Sequence, residues 1–88
     1  MVLQVKASVH RHVHALLQGN ESLLTVRLLI SLTKISSTNV IQALESHYVN
    51  GTPAEACYLL YGLSQQQFSR GKMRLHEVYN TVQQLVGN

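Results

Sequence analysis

The sequence predicts an all-α protein of four to five helices that ends in a helix-turn-helix motif. Three observations carry this reading. Apolar residues recur at helical spacing along most of the chain, the breaks between them are single Gly, Pro and capping residues, and two late helices are joined by a turn of about three residues containing Gly.

The elements follow in order. Val9, Val13, Leu16 and Leu17 fall at i, i+4, i+7 and i+8, which predicts a helix from Lys6 to Leu17 closed by Gly19-Asn20. The valines are poor helix formers, so the first residues alternatively form an extended or disordered arm. Asn20 is placed to cap a second helix with Glu21 in its first turn, carrying Leu23, Leu24, Val26, Leu28, Leu29, Ile30 and Leu32. A helix apolar nearly all round is either deeply buried or shared with a second subunit, and a small domain has little room to bury one on every side. Ser36-Ser37-Thr38-Asn39 supplies the cap of a third helix with Val40, Ile41, Ala43, Leu44, His47, Tyr48 and Val49, stopped at Asn50-Gly51. Thr52-Pro53-Ala54-Glu55 then offers a hydroxyl cap, a proline at the first helical position and a Glu closing a capping box, so a fourth helix is expected from Pro53 to about Tyr61, ended by Gly62. Ser64-x-x-Gln67 is a second capping box and opens a long last helix running to Gly87.

With 88 residues the chain is expected to be one domain: residues 1–19 an arm or helix, 20–51 core and oligomerisation helices, and 52–87 the helix-turn-helix. Only 12% of residues are charged against 45% hydrophobic, about half the roughly 25% charge of an average domain. Exposed apolar surface is therefore expected, and with it a homo-oligomer. The net charge of +3 is too small to hold a polyanion by bulk attraction, so nucleic-acid binding requires the basic side chains to converge on one face. The single Cys57 permits no internal disulfide and fits a reducing compartment, and the longest apolar runs are too short to span a bilayer, which gives a cytoplasmic expectation.

Aligned to a twenty-residue helix-turn-helix beginning at Ala54, Cys57, Tyr61, Gly62, Leu63 and Phe68 occupy positions that hold the two helices together. Tyr58 stands where a small residue is usual, and Gly71 stands where a medium apolar residue is usual. The expectation is that Gly71 makes room for Tyr58. On a helical wheel Phe68, Gly71, Leu75, Val78, Tyr79 and Val82 share a buried arc. The opposite arc holds Gln66, Ser69, Arg70, Met73 and Arg74, with Gln65 at the helix start and Lys72 to one flank. Gln and Arg pair bidentately with base edges or reach phosphates. The expected DNA-binding residues are therefore Gln65, Gln66, Ser69, Arg70, Lys72, Met73 and Arg74: Gln65 and Gln66 for base edges or phosphate, Arg70 for base or minor-groove readout, Lys72 and Arg74 for phosphates.

From Leu28 to Leu75 the sequence resembles the PapB-type adhesin-biosynthesis regulators, small enterobacterial proteins that control fimbrial operons. Leu29-Ile30-Ser31-Leu32-Thr33-Lys34-Ile35-Ser36-Ser37 is similar to the family's L-I-x-I-S-S-I-x-S segment. Val40-Ile41-Gln42-Ala43-Leu44, Tyr48-Val49-x-Gly51, Glu55-Ala56-Cys57 and Phe68-Ser69 with Arg74-Leu75 are similar to its V-I-x-A-L, Y-L-V-x-G, K-E-x-C and F-S-x-x-x-x-R-L elements. The resemblance implies a transcription regulator that binds double-stranded, A/T-rich promoter DNA upstream of fimbrial genes as a dimer or higher oligomer, reading minor-groove or shape features. Two departures bear on it. Pro53-Ala54 replaces a basic residue usual in the first turn of the first motif helix, so a phosphate contact is lost there and Arg70 is the compensating cation. The first twenty residues match no element of the family, and its long acidic or polar ends are shortened.

Other residues invite other chemistry. His10 and His14 stand at i, i+4, a spacing that offers two nitrogens to zinc, but a structural zinc needs four ligands and Cys57 lies in an apolar stripe, so no metal and no cofactor is expected. Protonated His10, His12 and His14 with Arg11 would form a pH-sensitive basic arm. With no Gly-rich phosphate loop and no acid–base or nucleophile pair, an enzyme with a small-molecule substrate is not expected. The rival reading is a helical protein–protein adaptor without DNA contact, which would lack the steep salt dependence of phosphate binding.

Overall fold

The computed structural model describes residues 16–87, and the regular structure among them is entirely helical. Helix α1 is Leu23–Ser31, α2 is Thr38–Glu45 and runs into a π-helical turn Ser46–Asn50, α3 is Ala54–Tyr61, and α4 is Gln65–Gly87. The helix expected over Lys6–Leu17 lies largely outside the described residues, and Leu16 and Leu17 themselves are not helical.

The start of α1 differs from expectation for a tertiary reason. Its cap is Ser22, whose hydroxyl accepts the Thr25 N–H at 3.1 Å, instead of Asn20. Asn20 is held in a tight turn by its N–H to the Leu17 carbonyl at 3.1 Å. Glu21, expected in the first helical turn, is buried ahead of it: its carboxylate accepts the Leu17 N–H at 2.9 Å, and its own N–H donates to the Tyr48 carbonyl at 3.0 Å.

Ser37 caps α2 by accepting the Val40 N–H. The wide turn that follows leaves carbonyls free of helical partners, and the preceding segment uses them. Gly19 N–H donates to the His47 carbonyl at 3.0 Å, and the Gln18 side-chain amide donates to the Gly51 carbonyl at 2.8 Å. Gly19 and Gly51 both have positive φ and stack closely; a Cβ on Gly19 would come within 2.9 Å of the Gly51 Cα.

The capping box expected at Thr52 does not form. Helix α3 begins one residue later, at Ala54, with Pro53 as its extended cap residue at ψ 152° and no side-chain cap. The Thr52 hydroxyl instead shares a 2.6 Å hydrogen bond with Ser46, and its carbonyl accepts from His47 Nδ1 at 2.7 Å, so both polar groups are committed to the π-helical turn. The Gly62 stop forms as expected: it is left-handed at φ 65°, and the Leu63 N–H returns to the Tyr58 carbonyl at 3.0 Å. The second capping box also forms. Gln67 N–H donates to Ser64 Oγ at 3.1 Å while Ser64 N–H donates to Gln67 Oε1 at 2.9 Å.

Helix α2 is the centre of the core and packs against α1, α3 and α4. Val26 from α1, Leu44 and Tyr48 from the centre, Cys57 from α3, and Phe68 and Leu75 from α4 are the largest fully buried side chains. On α4, Phe68, Gly71, Leu75 and Tyr79 are buried and Val78 and Val82 are half-buried, the arc that helical spacing predicts. Gly71 makes room for a different neighbour from the one expected. A Cβ there would lie 2.8 Å from Val40 Cγ1 and 3.5 Å from Leu44 Cδ1, so its lack of a side chain admits α2, not Tyr58. Tyr58 packs instead edge-on against the Phe68 ring at 5.7 Å between centroids.

Helix α1 buries Val26, Leu29 and Ile30 and leaves Leu24 and Leu28, with Leu32 just after it, exposed at i, i+4 and i+8. Leu32, at the end of that stripe, also lines an open hollow of about 340 Å³ with Glu77, Val78, Thr81, Val82 and Leu85.

Candidate nucleic-acid interface

The helix that carries the predicted contacts is positioned at both ends of its first half. The Ser64–Gln67 box fixes where α4 begins, and the burial of Phe68, Gly71 and Leu75 fixes which face turns outward. Gln65, Gln66, Ser69, Arg70, Met73 and Arg74 are consequently exposed, Met73 retaining 60% of its accessible surface. An unbranched apolar side chain held that far out of the core is available for contact with a partner.

The basic residues do not all stand alike. Arg70 and Arg74, one turn apart, turn toward the loop between α1 and α2 and line a groove of about 430 Å³ with Gln67, Lys34, Ser36 and Ser37, floored by Gly71 and Val40. Lys72 lies on the other flank, half-buried, with its ammonium 5.7 Å from the Phe68 ring centroid, so part of its charge is spent over that ring. Arg27, the fifth Lys or Arg among the described residues, is paired with Glu45 at 3.1 Å on α2. Three cations thus line one groove, two of them from α4 and the third, Lys34, from a distant loop. Sequence reasoning missed Lys34 because it stands in a loop 31 residues before the start of α4; only the packing of α2 on Gly71 brings it across.

Beneath this surface lie three partnered polar side chains, His47, Tyr48 and Cys57. His47 is buried, edge-on to Tyr48 at 4.9 Å and to Phe68 at 5.3 Å, and donates Nδ1–H to Thr52. Burial is the main cause holding its pKa below the usual 6.5; the bond to Thr52 works the other way, while Lys72 and His76 add to the lowering. Burial also pushes the Tyr48 hydroxyl up, with the Glu21 charge adding to it, and pushes the Cys57 thiol up against a small opposing effect of Lys72. Cys57 points its S–H at the Ala43 carbonyl, 3.6 Å away, and behaves as a buried structural thiol.

Among the described residues no group of three or more His, Cys, Asp or Glu side chains is placed to hold a metal ion, and no helix is long and apolar enough to cross a membrane. His10, His12 and His14 lie outside the described residues. What the described residues present is an all-helical fold with a row of Gln, Ser and Arg exposed on one capped helix. The family model of the PapB adhesin biosynthesis transcription regulatory proteins matches residues 2–87, and the chain belongs to that family. The match extends well beyond the Leu28–Leu75 stretch and includes residues 2–20, which showed no resemblance by motif. The crystal structure of FocB from E. coli superposes with a TM-score of 0.78 at 26% identity, covering 91% of each chain. Comparison with curated protein sequences finds no match. The chain is thus a fimbrial-type transcription regulator and not an enzyme.

Proposed function

We propose that this protein regulates a fimbrial or adhesin operon by binding A/T-rich promoter DNA as an oligomer, with α3, the turn at Gly62–Ser64 and α4 acting as a helix-turn-helix. The observation that carries the reading is the exposed row Gln66, Ser69, Arg70, Met73 and Arg74 on a helix whose start is fixed by a reciprocal cap, in a chain of a transcription-regulator family. Gln65 and Gln66 meet base edges or phosphate near the helix start, Arg70 reads bases or a narrow minor groove, and Lys72 and Arg74 hold phosphates. A single module buries only about 600 to 1,000 Å² on DNA, so useful affinity comes from pairing copies. The exposed Leu24, Leu28 and Leu32 stripe is the surface offered for that pairing. Such a protein works in the cytoplasm, at the nucleoid.

The adaptor reading has one observation in its favour: Leu59 and Leu60 on α3 keep 86% and 66% of their accessible surface. Salt separates the two. A titration of A/T-rich fimbrial promoter DNA against scrambled DNA at two salt concentrations, with light scattering for mass, is expected to show preference for the promoter, a mass above the monomer, and a log–log slope of about −0.9 per phosphate neutralised. Arg70→Ala is expected to weaken promoter binding by about 1–3 kcal/mol. Unchanged affinity in that variant at physiological salt would remove α4 as the reading helix.

A further inference from the structure

The groove between α4 and the loop before α2 is not accounted for by a single reading helix. Its lining includes three cations, Lys34, Arg70 and Arg74, and no acidic residue. Among the described residues, none of the three has a carboxylate within ion-pair distance. Of the four Glu in the chain, Glu45 is taken by Arg27, Glu21 is buried beside Leu17 and Tyr48, Glu55 is on α3, and Glu77 lines the open hollow beside Leu32.

Like charges one helical turn apart repel, and a third facing them across a groove adds to the repulsion. The arrangement becomes favourable when an anion sits among them, because each charge-assisted hydrogen bond then replaces a repulsion with an attraction. The exposed hydroxyl of Ser36 stands in the same lining and provides a neutral donor. The floor is the close contact of α2 with α4, where a Cβ at position 71 would lie 2.8 Å from Val40 Cγ1.

We propose that this groove seats a phosphodiester of the DNA backbone, with Lys34 as a phosphate-contacting residue opposite Arg70 and Arg74. The inference rests on the DNA-binding reading above and extends it from one helix to two chain segments. Backbone phosphate is the form of anion favoured because Arg70 and Arg74 belong both to the groove and to the outward row of α4, so a strand lying along that row runs past the groove's edge. Lys34 then supplies a contact on the loop side, in a chain whose α3, beginning at Ala54, carries no cation.

The test compares two variants that remove the same unit of charge from the exposed surface. Lys34→Ala removes it from the groove, and Arg27→Gln removes it from the pair with Glu45. Promoter affinity is measured by anisotropy from 50 to 200 mM KCl for both, for wild type, and for Lys34→Arg and Arg74→Ala, with circular dichroism confirming the fold. Lys34→Ala is expected to make the log–log slope shallower by about 0.9, so that over the fourfold rise in salt it loses about threefold less affinity than wild type. Arg27→Gln and Lys34→Arg are expected to keep the wild-type slope, and the ratio of promoter to scrambled affinity is expected to be unchanged in Lys34→Ala. Equal slopes for Lys34→Ala and wild type, with a shallower slope for Arg74→Ala, would overturn the groove while leaving α4 as the DNA-binding helix. Equal shifts for Lys34→Ala and Arg27→Gln would reduce the effect to bulk charge and overturn it as well. No binding of DNA by wild type would instead end the reading on which it rests.

Discussion

Gly71→Ala gives the sharpest test of how α4 is held. In an exposed helix interior this substitution stabilises by about 1 kcal/mol, because glycine loses more backbone entropy on folding. Here the new Cβ would lie 2.8 Å from Val40 Cγ1 and 3.5 Å from Leu44 Cδ1. Val40 is 8% exposed and β-branched on a helix, so it has one favoured rotamer and cannot swing its methyl aside cheaply. Overpacking of this kind costs about 1–3 kcal/mol. The net expectation is a loss of about 1 kcal/mol, read as a melting temperature lower by about 4–8 °C for a domain of this size. The assay is urea and thermal unfolding of wild type, Gly71→Ala, Val40→Ala and the double variant. Once Val40 Cγ1 is gone the alanine keeps its propensity gain, so in the Val40→Ala background Gly71→Ala is expected to stabilise, giving a coupling of about 2 kcal/mol. In a Tyr58→Ala background it is expected to keep its full cost. A Gly71→Ala protein more stable than wild type, or rescue by Tyr58→Ala and not by Val40→Ala, would refute the packing described.

Two further outcomes follow from the same structure. His47 has its pKa below the unfolded 6.5, chiefly through burial, so the unfolded chain takes up its proton first as pH falls. The stability that neutral His47 contributes is present above pH 6.5 and is lost as pH drops below it, at up to about 1.4 kcal/mol per pH unit. His47→Asn, which keeps a donor for Thr52, is expected to flatten this part of the stability–pH curve, and an identical curve for both proteins would show that the buried ring is not the group responsible. Ser64→Ala removes the acceptor for the Gln67 N–H and is expected to cost about 1 kcal/mol in urea unfolding and to loosen the first turn of α4, lowering promoter affinity as well; unchanged unfolding would mean that the cap contributes nothing.

What the sequence made legible was local. Gly51 and Gly62 end their helices at positive φ, and the Ser64–Gln67 box forms, because each depends on residues within a few positions of one another. What it obscured was set at long range. Thr52-Pro53-Ala54-Glu55 has every residue of a capping box, yet Ser46 and His47 claim the threonine first through a π-helical turn that no local pattern announced. Asn20 and Glu21 look like a helix start, yet both are drawn into the join between residues 17–21 and the turn after α2, and Ser22 takes the cap. The wheel for α4 located the buried arc correctly but not the partner of Gly71, since a wheel knows which residues face inward and not what they meet.

The same distinction applies to charge. A count of cations on α4 treats Arg70, Lys72 and Arg74 as equivalent, and the fold separates them. Lys72 leans over Phe68, close enough to His47 and Cys57 to affect both, so its stem and charge help cover the core. Arg70 and Arg74 turn the other way, toward Lys34. Replacing Lys72 therefore alters packing and electrostatics together, and a loss of DNA affinity in Lys72→Ala would mix the two. Lys34, exposed in a loop, and Arg74, exposed on a helix held by other residues, are the positions at which affinity reports on charge alone. With only seven Lys and Arg in 88 residues, the placement of each one matters more than their sum.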